Sequence, residues 1–286
     1  MFLISIMISL FYLVLSIFIN VNWIYDIACY FGYFVAIYLV TFIALIPGFV
    51  FIFTLISLLI DKKKKKINPQ KEEDVTILIP VYNAKNSIKE TLESIKKQKY
   101  SGNICVNIID DGSNDGTLEL LKSMDLDSNI NLIESPHQGK AAALNKALKC
   151  VKTDYTITID SDTVLHPLAI RNIMNKITHS NPKTAATAGC LFVKNAKKSF
   201  ITKLQEWDYT LGIFGVKLIQ GNYNSTLVAQ GAFSVYKTKI LKEIGGWKNC
   251  VGEDIVLTWQ LLSKGYETNF AKNAIAFTEV PEKLKD

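Results

Sequence analysis

The fold is indicated by residues 155–162, which read YTITIDSD. This is a short apolar strand that stops abruptly at two carboxylates flanking a serine. Two earlier stretches have the same form: residues 75–83 read VTILIPVYN and residues 104–111 read ICVNIIDD. In open α/β sheets ligands bind outside the carboxyl ends of the strands, so these polar residues mark the place for a site.

Short apolar strands alternate with amphipathic helices from Asp74 onward, which predicts an α/β sheet flanked by helices. We expect strands at 75–79, 104–109, 130–133 and 155–159, and helices at 87–97, 115–123, 139–150, 167–177, 199–218 and 253–264. Ser87 and Glu90 have capping-box spacing at the start of the first helix. No loop reads GxGxxG or GxxxxGK[ST], so neither a dinucleotide fingerprint nor a P-loop is predicted.

Residues 1–60 contain no Lys or Arg and one acid, Asp26. Within them, residues 2–19 and 31–60 are apolar runs, and a membrane-spanning helix needs about 20 apolar residues. We therefore predict a membrane anchor over residues 1–60, made of two transmembrane helices joined by a turn around Asn20 to Tyr30. Pro47-Gly48 marks a place for a kink in the second helix.

Five consecutive lysines, Lys62–Lys66, follow the anchor and begin a basic linker over residues 61–73. The positive-inside rule places this linker, and the domain that follows it over residues 74–286, in the cytosol. The expected location is the cell membrane, with a multi-pass anchor and a cytosolic catalytic domain. The lysines could equally form a solvated linker or contact anionic lipids. Outside this run the charges nearly balance, which argues against a nucleic-acid partner.

Asp160 and Asp162 are the clearest candidates for chemistry. In an extended chain two residues apart, their carboxylates point the same way and can hold one hard divalent cation. An Asx turn that caps the next helix is the alternative explanation for the same spacing. Spacing alone leaves both open.

Other polar clusters are ambiguous when each is taken alone. Asp110 and Asp111 can form an ordinary turn, and Glu253 and Asp254 can cap a helix whose dipole favours acids. Lys140 opens a helix after Gln138-Gly139, which is a weak anion site. The three histidines, His137, His166 and His179, are predicted to be surface or capping residues rather than ligands.

Taken in order, the clusters are far more specific. They are Pro80-Val81-Tyr82-Asn83, Asp110-Asp111-Gly112-Ser113, Gly139-Lys140-Ala141, Asp160-Ser161-Asp162, Gln230-Gly231-Ala232 and Gly252-Glu253-Asp254. This set resembles the family 2 glycosyltransferases, which have a GT-A fold, over residues 74–286. With the preceding helices it looks most like the processive β-glycan synthases, such as the hyaluronan, chitin and poly-N-acetylglucosamine synthases. The resemblance implies a Rossmann-like mixed sheet.

The resemblance also implies roles on the donor side. Asp110 and Asp111 would hold the uracil and ribose of a UDP-sugar, with Tyr82 beside the base. Asp160 and Asp162 would bind Mg²⁺ or Mn²⁺, which neutralises the charge of the departing diphosphate. The full set of expected nucleotide-sugar contacts is Pro80, Tyr82, Asn83, Asp110, Asp111, Lys140 and Asp160.

On the acceptor side the resemblance makes Asp254 the general base for the attacking hydroxyl, in a single displacement with inversion. The expected acceptor contacts are Gln230, Gly231, Glu253 and Trp247. The expected reaction is transfer of N-acetylglucosamine or glucose from a UDP-sugar to a glycan.

The synthases of this group continue into a Gln-x-x-Arg-Trp motif and further membrane helices, and the sequence to Asp286 contains neither. This departure keeps two alternatives open. One is transfer of a single sugar to a lipid acceptor. The other is an incomplete fragment or subunit that needs a second chain to supply the C-terminal region.

Overall fold

The structure, a computed structural model, describes residues 2–59 and 72–283, which fall into two units divided after Lys66. The N-terminal unit contains α1 (Phe2–Phe31), α2 (Tyr33–Val40) and α3 (Ile46–Leu59), with a π-helical segment, Thr41–Leu45, between the last two. Phe2–Phe31 and Tyr33–Leu59 have mean hydropathies of 2.7 and 2.6, and both are long and apolar enough to cross a membrane. The two predicted helices are thus confirmed as candidate spans.

The turn between these helices lies at Gly32, so the prediction of a turn around Asn20 to Tyr30 was wrong. Gly32 has a φ of +81°, which L side chains rarely adopt. Asn20 does not end the helix because its amide donates to the carbonyl of Ser16 at 2.7 Å, so the polar group is satisfied within the helix.

The second helix is irregular just before Pro47, close to the predicted kink. Proline has no N–H to donate to the preceding turn, and the π-helical segment Thr41–Leu45 accommodates this loss. At Gly48 a Cβ atom would come within 3.0 Å of the Tyr12 ring, so glycine allows close packing of the two helices.

The lysine run Lys62–Lys66 lies outside the described residues, as does most of the predicted linker over 61–73. The bounds of that linker and the side of the membrane that it marks stay predictions.

The second unit is built on one mixed sheet of eight strands in the order β3-β2-β1-β4-β7-β6-β8-β5. The strands are β1 (Val75–Val81), β2 (Ile104–Asp111), β3 (Ile130–Ser135), β4 (Tyr155–Ile159), β5 (Val164–Leu165), β6 (Thr184–Val193), β7 (Phe233–Lys237) and β8 (Glu267–Thr278). The helices are α4 (Ile88–Lys96), α5 (Thr117–Ser123), α6 (Lys140–Cys150), α7 (Ala169–Thr178), α8 (Phe200–Asp208), α9 (Val216–Asn222), α10 (Thr238–Glu243) and α11 (Glu253–Ser263). A second π-helical segment, Tyr209–Gly215, joins α8 to α9. The predicted mixed α/β sheet is confirmed.

The topology brings the polar clusters to one edge. Strands β1 to β4 are parallel, so their carboxyl ends lie together. Strand β7 runs antiparallel to β4 with Phe233 opposite Ile159, so the residues that precede β7 reach the same edge. The N–H of Asp160 donates to the carbonyl of Ala232 at 3.3 Å and closes this junction.

The sheet separates two cores. In β1, Val75, Ile77, Ile79 and Val81 point into the cluster that contains α4 and α7, whereas Leu78 points into the cluster with α6 and α11. This alternation has the strand period of two residues. Both faces of the sheet are covered, which explains why β1 reads as an almost continuous apolar run.

Two local predictions need correction. Strand β2 continues through Asp110 and Asp111, which pair with Glu134 and Ser135 of β3, so these acids extend the strand instead of ending it in a turn. Ser87 precedes α4 but makes no side-chain cap bond, and Glu90 instead receives the ammonium of Lys194. The predicted capping box is therefore absent from α4.

Candidate functional site

A cleft of about 350 Å³ lies at the carboxyl edge of the parallel strands. It is lined by Pro80, Val81, Tyr82, Asp111, His137, Gly139, Lys140, Asp160, Ser161 and Asp162. These residues come from the ends of β1, β2 and β4 and from the start of α6. Most of the predicted donor-side residues therefore share one cleft.

Asp110 and Asp111 are almost fully buried at the end of β2. One oxygen of Asp110 accepts from the N–H groups of Gly112 and Ser113 at 3.2 and 3.1 Å. Its other oxygen is buried and has no partner among the described residues. An unpaired buried carboxylate oxygen is costly, so it suits a ligand that brings its own N–H or O–H donor.

Asp111 organises the loop that leads into α6. Its two oxygens accept from the N–H groups of Gln138 and Gly139, both at 2.9 Å. Gly139 has a φ of +91° and begins α6 without adding a side chain to the cleft. The two acids thus differ: Asp111 is saturated by the protein, and Asp110 keeps a free oxygen.

His137 is a site residue that the sequence prediction missed. Its Nδ1 lies 2.9 Å from Asp111 Oδ2, and its ring stacks on Tyr82 with centroids 4.2 Å apart and planes 24° apart. Tyr82 is 46% exposed, so the ring pair forms one wall of the cleft. Its position in the sequence could have indicated this role, because His137 lies in the loop after β3, at the same edge of the sheet as the other strand ends.

Asn83 fixes the loop after β1. It has a φ of +52°, its side-chain oxygen accepts from the N–H of Asn114 at 2.9 Å, and its N–H donates to Ser113 Oγ at 3.0 Å. Asn83 therefore ties the β1 loop to the β2 loop, while Pro80 lines the cleft below it.

Asp160 and Asp162 follow β4, and Lys140 from α6 reaches them. Its ammonium lies 2.5 Å from Asp160 Oδ1 and 3.6 Å from Glu253 Oε1. Burial opposes the charge on Lys140, but the carboxylates of Asp160, Glu253 and Asp254 outweigh it and raise its pKa. One ammonium thus links the donor-side acid to the first turn of α11.

Asp162 is half-buried and accepts weakly, at 3.3 Å, from the hydroxyls of Thr163 and Thr278. Burial, and then the charge of Asp160, raise its pKa. Two carboxylates that repel each other in a partly buried cleft fit a hard divalent cation. Among the described residues no group of three or more His, Cys, Asp or Glu could hold a metal. The pair therefore fits Mg²⁺ or Mn²⁺ only when a ligand such as a diphosphate supplies further oxygens.

Tyr209 is a second residue that the sequence prediction missed. It begins the π-helical segment after α8, and its pKa is raised by burial and then by the charges of Asp162 and Asp208. Its hydroxyl is thus a neutral donor close to the acidic pair.

Asp254 stands in the first turn of α11, facing the segment that precedes β7. Its Oδ2 accepts from the N–H of Gly231 at 3.1 Å. At Gly231 a Cβ would lie 3.0 Å from Lys140 Nζ and 3.8 Å from Glu253 Oε1, so the glycine leaves space for both side chains. Gln230 keeps a buried oxygen that has no partner among the described residues.

Trp247 is not among the residues that line the cleft. It is 2% exposed, and its ring meets Tyr236 edge to face at 5.8 Å in the core between α6 and α11. Asn145 of α6 bonds both its N–H and its carbonyl. This burial contradicts the predicted acceptor contact. The indole of Trp247 packs inward and anchors the loop after α10.

The family model for glycosyl transferase family 2 matches residues 76–245, which is more than half of the chain. The chain belongs to this family. The matched region runs from β1 to the end of α10 and contains every cleft-lining residue.

Curated members of the family are similar to this chain over most of its length. Poly-β-1,6-N-acetyl-D-glucosamine synthase from Staphylococcus aureus strain MSSA476 is 30% identical over 224 residues, and that from Staphylococcus epidermidis is 28% identical over 221. These regions cover 78% and 77% of this chain but 54% and 53% of the relatives. The chain thus spans about half the length of the curated relatives that it matches.

Solved glycosyltransferases share the fold. The mannosyltransferase PcManGT from Pyrobaculum calidifontis, solved with GDP-mannose and Mn²⁺, matches with a TM-score of 0.64 and 20% identity, over 82% of this chain and 65% of its own. S. aureus TarS, solved with UDP-N-acetylglucosamine, matches with a TM-score of 0.54 and 19% identity, over 73% of this chain and 59% of its own. Both likenesses concern the fold alone.

Proposed function

We propose that this family 2 glycosyltransferase moves a sugar from a UDP-sugar to an acceptor hydroxyl with inversion. The observation that supports this most is the bridge made by Lys140 between Asp160 and Glu253, next to Asp254. It means that the acids suited to a diphosphate-bound cation lie next to the acid suited to an acceptor hydroxyl. A single displacement needs its leaving group and its base at opposite sides of one small site.

On the donor side, the ring of Tyr82 offers a face for the uracil, and the free oxygen of Asp110 offers an acceptor for its N–H or for a ribose hydroxyl. Asp160 and Asp162 would hold Mg²⁺ or Mn²⁺ together with the diphosphate. When bound, the cation neutralises the charge of the departing UDP. Lys140, which is paired with Asp160 and Glu253, would turn to the same phosphates once the cation takes its place beside Asp160.

On the acceptor side, Asp254 takes the proton from the attacking hydroxyl. The N–H groups of Gly231 and Ile255 orient this carboxylate, and Glu253 and Gln230 contribute polar groups beside it. Because the leaving group would be stabilised through the cation that the donor-side acids hold, one base suffices and no covalent intermediate is needed.

The sugar that we propose is N-acetylglucosamine, with glucose as the alternative, and the acceptor is a growing glycan. The similarity to poly-β-1,6-N-acetyl-D-glucosamine synthases supports the choice of sugar. We place the enzyme in the cell membrane as a multi-pass protein with its catalytic domain in the cytosol. The two candidate membrane spans support this placement.

Detergent-solubilised protein is incubated with Mn²⁺ and a panel of UDP-sugars, and UDP release and product mass are measured together. We expect UDP-N-acetylglucosamine to give UDP and a glycan. A lipid that carries one sugar would show a lipid acceptor. UDP binding without transfer by this chain alone, and transfer once the second half of a relative is added, would show that a partner chain is required.

The matched test of the base compares Asp254→Asn with Asp154→Asn, a change at the exposed start of β4, on the far edge of the sheet. Asp254→Asn removes the proton acceptor, so transfer should fall by about 10² to 10⁴-fold while Mn²⁺-dependent UDP binding is kept. Asp154→Asn should leave both unchanged. Equal turnover by Asp254→Asn and the parent would exclude Asp254 as the base.

A further inference from the structure

Lys217 is a buried lysine that the mechanism above does not use. It lies on α9 and is 6% exposed, beside the apolar cluster of Ala188, Cys190 and Phe270. Its amino group donates to the carbonyl of Val228 at 2.8 Å. Burial lowers its pKa to about 7, although the charge of Asp254 acts in the opposite direction. A methionine would fill such a place without the cost of burying an amine, so the amino group itself needs an explanation.

The bonded carbonyl belongs to a short segment, Val228–Gly231, that carries no regular secondary structure of its own. Its middle is held by the core: Ala229 donates from its N–H to Thr258 Oγ1 at 2.9 Å and accepts at its carbonyl from the Tyr236 hydroxyl at 3.0 Å. Backbone groups buried outside helices and strands must find such partners or be left unpaired.

The two ends of this segment face different partners. At the start, Val228 is held by Lys217, and at the end the N–H of Gly231 donates to Asp254 Oδ2 at 3.1 Å. The other oxygen of Asp254 accepts from the N–H of Ile255 at 2.8 Å within α11, so Gly231 supplies a contact to this carboxylate from outside its own helix. That contact depends on where Gly231 is placed, and the bond at Val228 holds the other end of the same segment.

We propose that Lys217 is a positioning residue for sugar transfer, which fixes the segment Val228–Gly231 and, through Gly231, the carboxylate of Asp254. The expected effect of Lys217 on the rate of sugar transfer rests on the proposed function. Its expected effect on the segment Val228–Gly231 does not. The proposed nucleotide-sugar contacts come from β1, β2, α6 and the loop after β4, and the segment Val228–Gly231 is not among them, so we expect Lys217 to act mainly on the acceptor side.

The test combines steady-state kinetics with hydrogen–deuterium exchange of the amides at 229–231. We expect Lys217→Met to speed that exchange about tenfold, because one buried hydrogen bond is lost. A base displaced by a fraction of an ångström should lower kcat by about 10 to 100-fold, with the KM for UDP-sugar changed less than twofold. The matched control is Lys237→Met, since Lys237 also donates to a backbone carbonyl, that of Pro182, at the far end of β7.

Lys217→Gln keeps an N–H donor one bond shorter and should recover part of the slow exchange and of kcat. If Lys217→Met does not fold, the same measurements are made on Lys217→Gln. Parent-like exchange at 229–231 in Lys217→Met would overturn the proposal. So would an equal gain in exchange across β2, which would show a general loss of stability. If the parent transfers no sugar, the proposed function fails, and the exchange at 229–231 still decides whether Lys217 holds the segment.

Discussion

At the scale of the residue, the two acids after β4 have different surroundings. Asp160 is paired with Lys140, whereas Asp162 has only two long hydroxyl contacts and a raised pKa. A carboxylate that is poorly compensated in the free protein gains most when a cation arrives. Asp162 should therefore contribute strongly to metal binding, and Asp160 must first release its lysine.

This difference predicts the result of Asp162→Asn. The amide oxygen can still accept from Thr163 and Thr278, so the loop should keep its shape while the charge is lost. We expect the Mn²⁺-dependent part of UDP binding to weaken by at least about tenfold, and binding without metal to stay unchanged. Calorimetry with and without Mn²⁺ measures both. Equal Mn²⁺ dependence in the variant and the parent would contradict this role.

The residue scale also shows what the sequence could predict of the site. Asp110, Asp111, Asp160 and Lys140 were found because each stands at the end of a strand, directly after one, or at the start of a helix. His137 was missed because nothing in its local sequence shows that its ring meets Tyr82, which lies 55 positions earlier. Trp247 was given an acceptor role on resemblance, yet its burial depends on Tyr236 and Asn145, which only the folded chain brings to it.

At the scale of the element, strands β1 to β4 were predictable, and strands β5 to β8, where the sheet becomes mixed, were not. Strands β1 to β4 are apolar runs followed by turns. Strand β6 reads TAATAGCLFV, rich in alanine and interrupted by Gly189, where a Cβ would lie 2.2 Å from the Phe233 ring. Small residues are needed there because β7 and its aromatic side chain pack against them, a requirement that is set by the tertiary structure.

Helix caps provide a prediction with a matched pair of serines. Ser199 accepts from the N–H of Thr202 at 3.1 Å, and the Thr202 hydroxyl accepts in return from the N–H of Ser199, so α8 has the capping box that α4 lacks. We expect Ser199→Ala to destabilise the protein by about 1 kcal/mol, and Ser87→Ala to have little effect. Thermal unfolding of the two variants in detergent makes the comparison. A larger loss for Ser87→Ala would show that the assignment of the caps is wrong.

At the scale of the whole molecule, the chain combines an apolar unit with a second unit whose interior contains a buried amine, that of Lys217. The π-helical segment and α9 form a continuous helical stretch with α8 that brings this lysine under the segment before β7. The amphipathic pattern predicted a helix at 199–218, but not the buried amine, because a lysine in such a pattern is expected to face water.

This buried amine makes the stability of the protein depend on pH. The folded chain releases the proton of Lys217 near pH 7, because burial lowers its pKa to about 7, whereas the unfolded chain keeps the proton up to the ordinary value of 10.5. Between these values the unfolded state binds more protons, so the free energy of unfolding should rise as the pH increases from 7 toward 10. Below pH 7 both states are protonated, and the full penalty for burying the charge remains.

The measurement is the difference in Tm between the parent and Lys217→Met, followed from pH 6 to pH 9 in one detergent. Other titrating groups are common to both proteins and cancel in this difference. We expect the parent to gain stability relative to Lys217→Met as the pH rises through 7, and Lys237→Met to follow the parent. A difference that stays constant across this range would mean that Lys217 keeps its proton in the folded protein, and that its charge is balanced within the cleft by Asp254.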